Sequence, residues 1–226
     1  MKIIVTGATG MVGKGVLLEC LDDPMVTEVL SVSRRSAGIQ HPKLKELLHD
    51  NFLDFAPVSA QLAGYDACFH CMGVSSAGMQ EADFKKFTYD MSMALAKEGH
   101  RHNPQATFTY VSGQGTDSTE QGRIMWARVK GKTENDLLKM GFRQAFMFRP
   151  GAIIPRRGIL PSSKLYRFFV RYFTWLIHLI KWLSPKSVVD TDQIGKAMAE
   201  VTANGYDKPI ITPADILVLA ERRDLK

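Results

Sequence analysis

An α/β fold built on a doubly wound parallel sheet is what the sequence predicts, on three observations. Short β-branched or apolar runs alternate with helical segments over roughly the first 150 residues. A glycine-rich turn, Gly7-Ala8-Thr9-Gly10-Met11-Val12-Gly13, follows the first run and opens the first helix. No internal repeat, low-complexity tract or Pro/Gly/Ser-rich linker divides the 226 residues, a length suited to one large α/β domain and too short for a second full-sized one. Strands separated by helices need parallel crossovers, which gives the Rossmann-type arrangement.

The elements follow in order. Lys2 to Thr6 is a β-branched strand, Met11 to Leu21 a helix, and Glu28 to Ser33 a second strand entered after Asp22, Asp23 and Pro24. Leu44 to His49 forms a third strand, a short helix lies near Pro57 to Ala63, and Tyr65 to Met72 is an apolar strand bounded by Gly64 and Gly73. A long helix from about Glu81 to His100 precedes the strand Ala106 to Val111; a helix over Arg123 to Met140 leads to the strand Gln144 to Arg149. After Pro150 the pattern loosens around Pro155, Gly158 and Pro161 into an aromatic helix, Leu165 to Leu183, then helices over Asp192 to Asn204 and Pro213 to Glu221. Residues 151–226 therefore read as a small, mainly helical cap or substrate lobe on a single domain spanning 1–226, with no further strand–helix unit.

Composition narrows the partners. A hydrophobic fraction of 45%, with 12 Phe, 6 Tyr and 3 Trp, supplies ample core and excludes a disordered chain. The excess of 29 Lys and Arg over 23 Asp and Glu leaves a formal charge of +6, which suits an anionic ligand, an acidic membrane surface or nucleic acid. No nucleic-acid-binding motif accompanies that charge, so nucleic acid is not an expected partner. Cys20, Cys68 and Cys71 are an odd set without secretory spacing, and the N-terminus runs straight into a strand, so a reducing cytoplasm is the expected location. Cys68 and Cys71 form a Cys-x-x-Cys spacing, but three residues apart on a strand point to opposite faces. Neither a redox nor a metal role is expected of them, nor a metal role of His100 and His102 at a loop end.

The glycine turn carries the chemistry. Gly7 permits the tight turn, Gly10 lets backbone amides approach a pyrophosphate, and Gly13 lets the helix pack closely, with the helix N-terminus facing the anion. Thr9, Met11 and Val12 complete the expected phosphate-binding segment. A nucleoside-triphosphate loop would need Gly at Ala8 and Ser or Thr at Gly15, so that reading fails. NAD-binding chains of this fold carry an acid at the end of the second strand, whereas this one carries Ser33-Arg34-Arg35. Two guanidinium groups there would clamp a ribose 2′-phosphate, so NADP(H) is the expected cofactor. Asp50 and Asn51, after the third strand, are candidates for the adenine amino group.

Taken together, Gly7 to Gly13, Ser33-Arg34-Arg35, Phe69-His70-Cys71-Met72-Gly73, Val111-Ser112 and Val129-Lys130-Gly131 resemble the atypical and extended short-chain dehydrogenase/reductase superfamily, and within it the Tat-interacting-protein-30 group, over about residues 1–155. The resemblance implies that Cys71, Met72 and Gly73 line the cofactor, and that Ser112 and Lys130 belong to a catalytic set with a tyrosine four residues before the lysine. There Ser112 orients a substrate oxygen and Lys130 binds the nicotinamide ribose. Pro150, just past the next strand, joins the cofactor-binding set. Trp126 stands where the tyrosine is expected, and an indole has no proton to give near neutral pH. Tyr110 and Tyr89 are read as core and packing residues.

The function expected is NADP(H)-dependent oxidoreductase or isomerase-like chemistry on a small carbonyl or alcohol, against the alternative of a catalytically weak NADPH-binding regulator. A nucleotide-sugar epimerase fits less well. Along Leu165 to Leu183, Arg167, Arg171, Thr174, His178 and Lys181 form one narrow polar stripe on an otherwise apolar, aromatic helix. A pocket lid with a homodimer contact, and a peripheral membrane contact through residues 165–183, are both open readings of it.

Overall fold

The computed structural model describes residues 1–159 and 187–225; the aromatic segment 165–183, with its lid, dimer and membrane readings, lies outside the described residues. Seven parallel strands form one sheet in the order β3-β2-β1-β4-β5-β6-β9. They are β1 Lys2–Thr6, β2 Glu28–Ser33, β3 Leu44–Leu48, β4 Ala67–His70, β5 Thr107–Val111, β6 Gln144–Phe148 and β9 Ile210–Ile211. The strand order reverses direction at β1, so a crevice opens between the carboxyl ends of β1 and β4, where ligands bind in such sheets. Register brings Thr6 opposite both Val32 and His70, so the turns carrying Gly7, Arg34 and Cys71 leave the sheet side by side.

Alternation along the strands builds two cores. Ile3 and Val5 face one side, packing with Val16, Leu17 and Cys20 of α1 (Met11–Asp22), while Ile4 faces the other with Phe108, Tyr110 and Leu95. Each fully buried Leu, Ile or Phe contributes roughly 1.5–3 kcal/mol. The expected long helix is α2 (Glu81–Lys85), a π-helical turn Lys86–Asp90, and α3 (Met91–His102). A 3₁₀ turn spans Ala56–Leu62, and α4 covers Met125–Leu138.

The C-terminal part is mainly helical, as expected, but it also carries a strand–helix unit that the expectation left out. A two-stranded parallel pair, β7 (Ala152–Ile154) with β8 (Val188–Asp190), is followed by α5 (Thr191–Asn204), β9 and α6 (Pro213–Asp224). This is a strand–helix unit that returns to the main sheet, since Met147 N donates to Pro209 O and Arg149 N to Ile211 O. Two residues are too short a run to read as a strand by periodicity, and only pairing with β6 makes them one. Ile194, Ala197, Met198 and Val201 of α5 then join the α1 side of the core.

Candidate functional site

Backbone sterics shape the turn after β1. Gly7 holds φ +73°, and a Cβ there would lie 2.7 Å from Cys71 O, so only glycine fits. A Cβ on Gly13 would lie 2.2 Å from Gly7 O, which is how closely α1 sits on the turn. At Gly10 the position is open apart from Gly7 O at 3.3 Å. Gly10 is the N-cap of α1 and brings no capping side chain, and no acidic residue occupies the first turn, so the amide end faces the crevice uncompensated.

A cleft of about 460 Å³ opens there, lined by Gly7, Thr9, Gly10, Arg34, Arg35, Asp50, Cys71, Met72 and Gly73 from the expected set. Arg34 and Arg35 are exposed, and among the described residues neither side chain has a hydrogen-bond or ion-pair partner. Phe52, Val74, Met79, Phe87 and Met91 complete the walls. Phe87 and Met91 are four apart across the π-helical turn, a spacing that periodicity finds but cannot distinguish from core packing.

The remaining expected positions are not among the residues that line the cleft. Met11, Val12 and Gly13 form the first turn of α1, whose amide end faces the cleft. Asn51 accepts from Leu53 N at 3.2 Å, a turn bond, and does not line the cleft. Pro150 O accepts from Gln114 N at 2.9 Å, tying the end of β6 to the loop after β5.

Around Ser112 the polar groups are engaged with one another. Ser112 is 6% exposed; its hydroxyl donates to Glu134 Oε1 and lies 3.1 Å from Phe148 O. Both neighbours only accept, so the serine hydrogen points into the protein. Glu134, fully buried on α4, also takes Arg149, with Nε at 3.1 Å from each carboxylate oxygen. Lys130 Nζ donates to Ser112 O, and burial pushes its ammonium down to about 8 despite the opposing pull of Glu134. The Trp126 ring lies over Gly115, where a Cβ would be 3.4 Å from Cη2. Tyr110 is 1% exposed, and Tyr89 Oη donates to Asp136 Oδ2 at 2.7 Å.

Beneath the cleft, a buried relay that sequence reading missed joins the sheet to the long helix. Ser92 Oγ donates to Thr88 O, so it accepts from His70 Nε2 at 2.9 Å, and Nδ1 accepts from Thr6 Oγ1 at 2.7 Å. His70 is fully buried, and that burial pushes its imidazole down to about 4. Burial also pushes the Cys68 and Cys71 thiols well up, and no cluster of metal-ligating side chains occurs among the described residues.

Residues 3–121 match the model described as the NAD dependent epimerase/dehydratase family. The chain belongs to that family. Protein FMP52, mitochondrial, from Candida albicans is 25% identical over 96% of this chain and 97% of its own length. Protein FMP52-1, mitochondrial, from Scheffersomyces stipitis is 28% identical over 70% of this chain and 69% of its own. A solved UDP-N-acetylglucosamine 4-epimerase from Methanobrevibacter ruminantium shares the fold with a TM-score of 0.69 at 15% identity, covering 93% of this chain and 75% of that one.

Membership in the epimerase/dehydratase family makes a nicotinamide dinucleotide the cofactor class, and the glycine cradle with its open amide end fits such an anion. The match reaches the superfamily and not the narrower Tat-interacting-protein-30 group. The fungal names overturn the expected cytoplasmic location, because these relatives are mitochondrial proteins. The cysteine argument fails for a physical reason: free thiols report a reducing environment and do not say which compartment supplies it.

Proposed function

We propose that the cleft binds NADP(H), with the adenosine 2′-phosphate between Arg34 and Arg35, and that the chain acts as an oxidoreductase or isomerase-like protein on a small carbonyl or alcohol. One observation carries the cofactor choice: two guanidinium groups line the same cleft as Gly7 and Gly10 with no partner among the described residues. A phosphate dianion gives them charge-assisted bonds that a ribose hydroxyl cannot. When bound, the cofactor supplies or accepts a hydride. Of the three protons on the Lys130 ammonium one goes to Ser112 O, leaving two donors for ribose hydroxyls.

The Ser112 hydroxyl favours a second reading, a catalytically weak NADPH-binding regulator. Its hydrogen is committed to Glu134 and Phe148 O, so it is unavailable to a substrate oxygen, and Trp126 provides no acid. Calorimetric titration tests the cofactor: NADPH binds at least about tenfold more tightly than NADH, a gap of about 1.4 kcal/mol. Equal affinities overturn it. NADPH oxidation with simple aldehydes and ketones separates the two readings, the second requiring turnover close to background.

A further inference from the structure

Glu46 makes two bonds to the loop that carries the two arginines. Between β2 and β3 the chain runs exposed through Arg34, Arg35 and Ser36 before Ala37 buries its methyl in the α1 side of the core. Glu46, on β3, faces that loop with both carboxylate oxygens engaged: Ser36 Oγ donates to Oε2 at 2.7 Å, and Ala37 N donates to Oε1 at 2.7 Å. Upstream, Ser33 Oγ donates to Arg35 O at 2.6 Å; downstream, Gly38 N donates to Ser36 Oγ at 3.0 Å, with Gly38 at φ +68° turning the chain. Every one of these bonds lies within one or two residues of the arginines, yet none uses a guanidinium.

A carboxylate bonded to the residues that follow two arginines is well placed to pair with them. Here the hydroxyl and the amide take both of its oxygens, and no ion pair joins Glu46 to Arg34 or Arg35. We propose that Glu46 is a positioning residue that sets cofactor specificity: it fixes the loop so that both guanidinium groups face the cleft unpaired, ready for the 2′-phosphate. The inference rests on the NADP(H) reading. A loop held before binding loses less freedom when the phosphate arrives, so the grip acts on NADPH and not on NADH, which lacks that phosphate.

Two substitutions with the same charge change separate the grip from simple electrostatics. Glu46→Gln keeps an acceptor for Ala37 N and offers its amide to Ser36 Oγ, whereas Glu46→Ala keeps neither. Calorimetry with NADPH and NADH on the full chain is expected to show E46Q retaining the wild-type preference and E46A losing about tenfold of it, through NADPH alone. Ser36→Ala, which removes one of the two bonds, should fall between, and melting temperatures confirm that each variant is folded. An E46A preference equal to wild type, or equal losses in E46A and E46Q, overturns the role of Glu46. Equal affinity of the wild type for both cofactors overturns the NADP(H) reading itself and this inference with it.

Discussion

The two ends of the ligand crevice treat their polar groups differently. Around the glycine turn, the amide end of α1 has no capping side chain and Arg34 and Arg35 have no partner among the described residues. At the ends of β5 and β6, Ser112, Lys130, Glu134 and Arg149 bond to one another. In the first region the guanidinium groups are left to a ligand or to water; in the second the Ser112 hydroxyl is already committed within the protein. Solvent-exposed cations beside a cleft favour binding of an anion, which gives them charge-assisted bonds, whereas a buried network chiefly stabilises the fold.

That contrast breaks most sharply at Gly10. A Cβ there would meet only Gly7 O, at 3.3 Å, whereas those of Gly7 and Gly13 would meet backbone at 2.7 and 2.2 Å. Gly10→Val should therefore lower NADPH affinity by at least about 100-fold, on the order of 3 kcal/mol, with a melting temperature close to wild type. An unfolded variant, or one that binds normally, removes the distinction between the three glycines.

The support beneath the cleft carries the next effect. His70 is held uncharged when folded, down to about 4, and titrates near 6.5 when unfolded. Between those values the unfolded chain binds the proton first. Stability is therefore full above about pH 6.5, declines as the pH falls, and has lost roughly 3 kcal/mol by about pH 4. Urea unfolding across that range should show a shallower acid loss in His70→Gln than in wild type; identical slopes assign the loss to other groups.

At the closed end, Trp126→Tyr supplies the missing acid. Carbonyl reduction should rise on the order of 10²-fold, the lower part of the range for general acid catalysis, because Ser112 still donates to Glu134. Brisk reduction by the wild type, unaffected by Tyr89→Phe or Tyr110→Phe, would show a proton source elsewhere and erase the contrast. The smallest effect returns to the open end. Replacing Arg34 and Arg35 together with alanine should cost about tenfold in NADPH affinity, about 1.4 kcal/mol, and leave NADH binding unchanged.

The difference between the two ends also decided what could be read in advance. Gly7, Gly10, Arg34, Arg35 and Cys71 to Gly73 follow the ends of adjacent strands, so strand order alone gathers them. The Ser112 hydroxyl depends on where a glutamate 22 residues later points, and no local spacing encodes that. Phe87 and Met91 look like any apolar helical pair until the π-helical turn is seen to set them along the cleft.

By itself, the sequence determined the strand–helix alternation, the glycine turn and the arginines after the second strand, since these rest on local periodicity and on backbone angles open only to glycine. Tertiary structure decided the rest. Ile210 and Ile211 became a strand by pairing with β6, His70 became a neutral relay because burial withholds water from it, and Glu46 found Ser36 and Ala37 across a loop. Each outcome depends on a partner distant in the chain, and only the folded sheet brings such partners within hydrogen-bonding reach.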